Sequence, residues 1–217
     1  MKTCHIFCAG GFAGLLEPPA KGDLILAADG GLRHTQALGL APDGVLGDFD
    51  SLGYTPAGPE VERFPVEKDD TDSMLAIKLG LAQGCRRFLL YGAMDGPRLD
   101  HTVANFQALA YLTGHGAFGY LVGLTTLATV LAPGQLTFAP QDEGILSVFC
   151  LGAEAGGVNL RGLQYPLDNA TLTASFPLGV SNHFLGKAAQ VSLAAGQLLI
   201  LWDRGAGLPQ SRTEEGI

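Results

Sequence analysis

The sequence predicts an α/β chain in two parts, a parallel-sheet domain over residues 1–123 and an all-β sandwich over residues 124–217. Three observations carry this expectation. From the N-terminus to about residue 123, short apolar runs alternate with helix-period segments, the pattern of βαβ units that feed a parallel sheet. After Thr125 the helical period disappears, and short β-like runs recur between turn signals. The length, 217 residues at 47% hydrophobic and 16% charged, suffices for one large core or two small ones.

Taken in order, HIFCA, LILAA, GVLG, RFLLYG and YLVG read as strands. Between them GGLRHTQALGL and DDTDSMLAIKLGLAQG read as helices, each with a glycine near its C-terminal end. In the second, Met74, Ile77 and Leu81 share one face. GAMDGPRLDHTVANFQAL supplies a strand, a Gly/Pro turn and a further helix start. The β part comprises LATVLA, QLTFA, ILSVFCL, VNLRGL, ATLTASF, QVSLAAG and QLLILW. The join at residues 123–134 has no long Ser/Pro linker, so the two domains are expected to pack together rather than hang on a tether.

Composition narrows the partners. The formal net charge is -8 and no Lys/Arg run occurs, so neither nucleic acid nor an anionic membrane surface is expected. Small molecules are, and phosphorylated ones fit, because carboxylates hold Mg²⁺ and the metal holds phosphate. The N-terminal MKTCHIFCAGG has too short an apolar stretch and too early a glycine pair for a signal peptide. No later run approaches a membrane span, so a cytoplasmic protein is expected. Cys4, Cys8, Cys85 and Cys150 form no CxxC pair and sit mostly in apolar runs, which favours buried reduced thiols over zinc or disulfides.

No GxxxxGK[ST] loop is present, so another device must hold any nucleotide. Gly10, Gly11 and Gly14 follow the first strand and serve either as a phosphate approach or as a plain turn; AGGFAG misses the dinucleotide fingerprint because Ala9 takes its first glycine. Asp29 ends LILAA and Asp48 ends GVLG, where ligands of open parallel sheets collect. Asp50 lies two residues beyond Asp48, so both carboxylates can face one divalent cation in an extended loop, or both can be solvated turn residues. In KDDTD, residues 68–72, Asp70 or Thr71 suits an N-cap and Asp72 the first helical turn. Capping accounts for one of these residues but not for Lys68, Asp69, Thr71 and Asp72 together, and a lysine beside a carboxylate cluster is what a polyphosphate needs. Arg98 can fork onto phosphate oxygens, while Asp100 either caps the next helix or joins the acidic cluster. His101 is either a supporting donor or structural.

ADGG (28–31), GDFDS (47–51), KDDTD (68–72) and RLDHTVAN (98–105) resemble the successive catalytic motifs of thiamine diphosphokinases. GLQYPLDNATL, GVSNHF and GQLLILW resemble that family's thiamine-binding β domain, so the likeness covers nearly the whole chain. It implies a Rossmann-like α/β domain for ATP and Mg²⁺, a β-sandwich for thiamine, and a homodimer with active sites at the subunit interface. It also implies the reaction ATP + thiamine → AMP + thiamine diphosphate. Carried over by motif, Asp29, Asp48, Asp50, Thr71 and Asp72 become metal and phosphate residues, flanked by Arg98 and Asp100. Mg²⁺ would sit on Asp48, Asp50 and Asp72, with Lys68, Asp69 and Arg98 beside the phosphates and Ser181 and Asn182 as thiamine contacts. Either Asp72 or Asp100 would take the proton of the thiamine hydroxyl. One departure is the Asp95-Gly96-Pro97 loop, a residue longer than the family pattern; Asp95 either tunes the metal site or caps the turn. The rival readings are a diphosphokinase for another heterocyclic alcohol such as a hydroxymethylpterin, a phosphatase using the DxD of GDFDS, and a non-catalytic nucleotide or vitamin sensor. Ser51 and Leu52 after Asp50 count against the phosphatase.

Overall fold

The computed structural model describes residues 1–49, 54, 61–63 and 70–214. It is a mixed α/β chain that divides into two compact units, Met1–Leu124 and Thr125–Ile217.

The first unit runs β1 (Thr3–Phe7), β2 (Leu24–Ala28), a 3-10 turn (Asp29–Gly31), α1 (Leu32–Ala37), β3 (Gly44–Gly47) and β4 (Val61–Arg63). It continues with α2 (Asp72–Ala82), β5 (Arg87–Tyr91), α3 (Leu99–Thr113) and β6 (Phe118–Val122). Among the described residues its strands pair in parallel: β1 lies between β2 and β5, β3 follows β2, β4 follows β3, and β6 follows β5. The chain therefore builds outward from β1 to one side, then crosses back and builds to the other. The order reverses between β1 and β5. Every residue of β1 is buried, as are Phe88 to Tyr91 of β5, the near-continuous burial of parallel strands covered on both faces. Each fully buried Leu or Phe here contributes roughly 1.5–3 kcal/mol.

The buried face of α2 differs from the expected one. Ser73, Ala76, Ile77 and Gly80 are buried, whereas Met74 and Leu81 are only half-buried. Small residues win this face because the helix lies tight on the sheet: a Cβ on Gly80 would stand 2.6 Å from Cε1 of Phe88 and 3.0 Å from Sγ of Cys4.

The second unit is antiparallel. It comprises β7 (Thr126–Leu131), β8 (Gly134–Phe138), β9 (Ile145–Arg161), β10 (Leu167–Thr173), β11 (Asn182–His183), β12 (Ala189–Leu193), β13 (Ala195–Asp203) and β14 (Ser211–Glu214). ILSVFCL and VNLRGL, expected as two strands, form the single 17-residue β9. Its first part pairs with β13 and β11, and its later part with β12 and β10. Trp202 stacks edge-on against Phe138 at 5.3 Å and donates its indole N–H to the Gly207 carbonyl at 2.8 Å, anchoring this unit's core. Among the described residues no helix is long and apolar enough to cross a membrane.

Candidate active site

The loops that leave β1 and β5 are bonded to each other along their length. The Cys8 N–H donates to the Tyr91 carbonyl (2.8 Å), Gly10 to Gly92 (2.9 Å) and Gly11 to Asp95 (3.1 Å). A Cβ at Gly10 would fall 2.5 Å from the Gly92 oxygen, so glycine is required for this approach. The two loops end where the strand order reverses, the place where open parallel sheets bind ligands. A cavity of about 450 Å³ opens there, within the range of small-molecule sites. Its walls come from Cys8–Gly10, Ala28–Asp29, Asp48, Asp70–Ser73, Gly92–Ala93 and the start of α3, including Arg98, His101 and Asn105. Gly10 is on this wall; Gly11 packs against Asp95 and Leu124 instead.

Three carboxylates converge on the cavity. Asp29, Asp48 and Asp72 each offer an oxygen within 4.8 Å of the others. Asp29 follows β2 at φ 48, a left-handed conformation that aspartate tolerates better than most residues. It is 6% exposed, and its Oδ1 has no hydrogen-bond partner. Asp48 follows β3 and precedes Phe49, whose φ of 65 is held by burial among Ala27, Leu32 and Val45. Asp72 opens α2, where the helix dipole favours a negative charge; the Thr71 side chain caps that helix by accepting from the Met74 N–H at 3.3 Å. Three like charges this close repel by roughly 3 kcal/mol per pair at an effective dielectric of about 20. A buried, unpartnered carboxylate oxygen among them fits a hard divalent cation such as Mg²⁺, which takes oxygen ligands and leaves room for phosphate.

Asp50, Lys68 and Asp69 lie outside the described residues. Asp70 is on the cavity wall, but Lys78 holds its carboxylate at 2.6 Å. The Arg98 guanidinium forks onto Asp100, Nε to Oδ1 at 3.2 Å and Nη2 to Oδ2 at 2.6 Å. That hydrogen bond holds the Asp100 carboxyl below the usual range. Arg98 lines the cavity while Asp100 stands outside the carboxylate triad. The Asp95 carboxylate accepts the Leu124 N–H at 2.7 Å, fastening the longer loop to the end of the first unit. This is neither of the roles expected for it from the sequence.

Two residues on the wall escaped the reading of the sequence. Ser73 and Asn105 are buried polar residues, and the Ser73 hydroxyl donates to Asn105 Oδ1 at 2.7 Å. The signals were that Asn105 interrupts the apolar VANFQAL run and ends the RLDHTVAN motif, where no role was read for it. The Cys8 thiol also faces this region, and burial, reinforced by Asp72, pushes it up to about 12. All four cysteines are free thiols; Cys4, Cys8 and Cys85 are buried and Cys150 is half-buried.

In the second unit Ser181 is exposed at φ 56, and its N–H donates to the Ser147 hydroxyl at 3.0 Å. Asn182 is 1% exposed, and its amide clamps the backbone of Tyr165: Oδ1 accepts the Tyr165 N–H at 2.8 Å and Nδ2 donates to the Tyr165 carbonyl at 2.7 Å. Tyr165 itself is 58% exposed, so Asn182 sets the backbone beneath an outward-facing ring.

The model of the family described as "Thiamin pyrophosphokinase, catalytic domain" matches residues 19–117. That described as "Thiamin pyrophosphokinase, vitamin B1 binding domain" matches residues 135–198. Together they span about three quarters of the chain. The thiamine pyrophosphokinase of Bacillus subtilis (strain 168) is 26% identical over 213 residues, covering 93% of this chain and 98% of that protein. The crystal structure of the Bacillus subtilis enzyme is similar with a TM-score of 0.79 at 22% identity, covering 93% of this chain and 99% of that one. That of Geobacillus thermodenitrificans gives 0.77 at 25% identity, covering 93% and 97%. The yeast thiamin pyrophosphokinase shares the fold at 14% identity with a TM-score of 0.70, covering 93% and 86%. With both family models matched in order along it, the chain belongs to the thiamin pyrophosphokinase family.

Proposed function

We propose that this chain is an ATP:thiamine diphosphotransferase that binds ATP and Mg²⁺ in the cavity of the first unit and releases AMP and thiamine diphosphate. The observation that carries the reading is the convergence of Asp29, Asp48 and Asp72 on a cavity at the reversal of strand order, inside a catalytic-domain match that is followed by a vitamin B1 binding match. We read residues 1–123 as a Rossmann-like catalytic domain and residues 124–217 as a β-sandwich thiamine-binding domain. Asp29, Asp48 and Asp72 would hold Mg²⁺, with Asp50 and Asp69 beside them and Lys68 and Arg98 toward the phosphates. Bound Mg²⁺ supplies positive charge to the polyphosphate oxygens. The tight Gly10–Gly92 approach leaves backbone, rather than side chains, facing the nucleotide. Of the two candidate bases, Asp72 lies on the cavity wall while Asp100 is tied to Arg98 with its proton affinity lowered. We therefore assign acceptance of the thiamine hydroxyl proton to the Asp72 oxygen that would not hold Mg²⁺, because Asp72 is the candidate on the cavity wall, and the orientation of Arg98 to Asp100. Ser181 and Asn182 stand on the thiamine side, Asn182 by shaping the Tyr165 backbone.

The reaction attacks the β-phosphorus of ATP with the thiamine hydroxyl, and AMP leaves. Nucleotide chromatography of ATP, Mg²⁺ and thiamine incubated with the protein is expected to show AMP rising in step with thiamine diphosphate. ADP in its place would indicate γ-phosphoryl transfer and overturn the reading, and turnover of a hydroxymethylpterin but not thiamine would reassign the substrate. We further read the protein as a cytoplasmic homodimer with its sites at the subunit interface, acting on small molecules rather than nucleic acid or membrane. The mass of the particle in solution checks the dimer.

A further inference from the structure

The buried polar residues beside the cavity form one hydrogen-bonded chain whose direction is forced. The Ala93 carbonyl can only accept, so the group of Asn105 that meets it at 2.7 Å is the Nδ2 donor. The other end of that amide is then Oδ1, an acceptor, and the Ser73 hydroxyl 2.7 Å away must give it its single proton. The contact of 3.0 Å between the Thr71 and Ser73 hydroxyls is thereby settled, with Thr71 as donor. Thr71 Oγ1 in turn accepts the Met74 N–H. Four hydrogen bonds run one way from α2 to the loop after β5, and neither the Thr71 nor the Ser73 hydroxyl has a proton left over for a ligand.

We propose that Asn105 and Ser73 are positioning residues that aim Asp72 at the metal site, and that the Thr71 hydroxyl serves this chain rather than donating to phosphate. The proposal rests on the reading of the triad as a Mg²⁺ site. Successive side chains leave a helix about 100° apart, so fastening Ser73 inward fixes the direction in which its neighbour Asp72 departs. Asn105 belongs to α3 seven residues after Arg98, and it grips Ala93 next to the bonded Gly10–Gly92 pair. One amide thus ties together the three segments that bring a carboxylate, a guanidinium and the glycine loops to the cavity. Its bonds to Ser73 and to Ala93 are both buried, where an unmet partner is costly.

The test uses the full chain and Mn²⁺ alone as the probe, with free Mn²⁺ followed by electron paramagnetic resonance. Ser73→Ala and Asn105→Ala are each expected to weaken Mn²⁺ binding on the order of tenfold, the usual cost of losing a residue that orients a metal ligand. The double variant is expected to be no weaker than the worse single one within about twofold, because both break the same chain. Ser73→Thr, which keeps the hydroxyl, is expected to bind as the parent does. A thermal shift without loss of Mn²⁺ affinity in Ser73→Ala, or losses that multiply in the double variant, would overturn the proposal. Should Asn105→Ala not fold, Ser73→Ala and Ser73→Thr decide the question alone. A parent chain that binds Mn²⁺ but releases no AMP with thiamine sinks the diphosphotransfer reading and leaves these affinities still able to decide this one.

Discussion

At the scale of single residues, Asp29 combines three unfavourable features: a positive φ, burial, and two carboxylates within 4.8 Å. Each costs stability in the protein without metal, and a divalent cation offsets the last two. Asp29→Asn keeps the shape and suits a left-handed φ at least as well, while removing one charge. The expected result is a variant whose melting temperature without metal equals or exceeds the parent's, whose stabilisation by Mg²⁺ with ATP is lost, and whose turnover falls at least a hundredfold. Differential scanning calorimetry with and without Mg²⁺-ATP checks it; a variant still stabilised like the parent would remove Asp29 from the metal site. Asp29 and Asp48 were legible in the sequence because they stand directly after predicted strands, and Asp72 because KDDTD packs more polar residues before a helix than capping needs. Ser73 and Asn105 were not, since a polar residue on a helix reads as solvated until packing shows which face is inward. Asn182 was legible as a residue of interest, but its clamp on Tyr165 depends on a contact 17 residues away in sequence.

At the scale of elements, five strands of the first unit and the starts of α2 and α3 followed from pattern, whereas the short β4 (Val61–Arg63) and the buried face of α2 did not. Met74, Ile77 and Leu81 satisfy the apolar period, yet a helix pressed onto a sheet buries whatever lets it come closest, here Ser73, Ala76 and Gly80 beside Ile77. β9 misled for a related reason. The GAEAGG stretch looks like a turn, but it continues as strand, with Ala195 opposite Gly156 and a register shift just after. Propensity favours Gly80→Ala by about 1 kcal/mol, as for an interior helical glycine. The space does not, because the new methyl meets the ring of Phe88, which is 0% exposed, and Sγ of Cys4. Overpacking of this kind costs about 1–3 kcal/mol, so Gly80→Ala is expected to lower stability by roughly 1 kcal/mol net in urea denaturation. A stabilised variant would show that α2 can lift from the sheet, and with it the direction of Asp72.

At the scale of the whole molecule, the pair of buried His5 and half-buried Asp23 makes stability depend on pH. His5 is 1% exposed, stacked on Tyr91 at 6.2 Å and 3.4 Å from an Asp23 oxygen. Burial lowers its proton affinity more than Asp23 raises it, with Arg87 lowering it further and Glu17 opposing. For Asp23 burial is the largest influence and raises it, but the N–H groups of Ala20 and Thr3, with His5, outweigh that and hold it below the ordinary carboxylate value. The unfolded chain therefore takes up the histidine proton first as pH falls below about 6.5, so stability drops from there downward until the folded form is protonated too. The Asp23 contribution is complete above about 3.9 and disappears only as pH falls below it. Acidification also trims the net charge of -8, and the reduced self-repulsion works in the opposite direction. His5→Phe separates the two, since an aromatic ring can keep the stack on Tyr91 and leaves every other charge in place. Between pH 7 and 5 the parent's denaturation midpoint is expected to fall relative to that of His5→Phe, with the two profiles running parallel above pH 7. Parallel profiles across the whole range would mean that His5 takes up its proton as readily in the folded protein as in the unfolded chain, and that its burial carries no pH dependence.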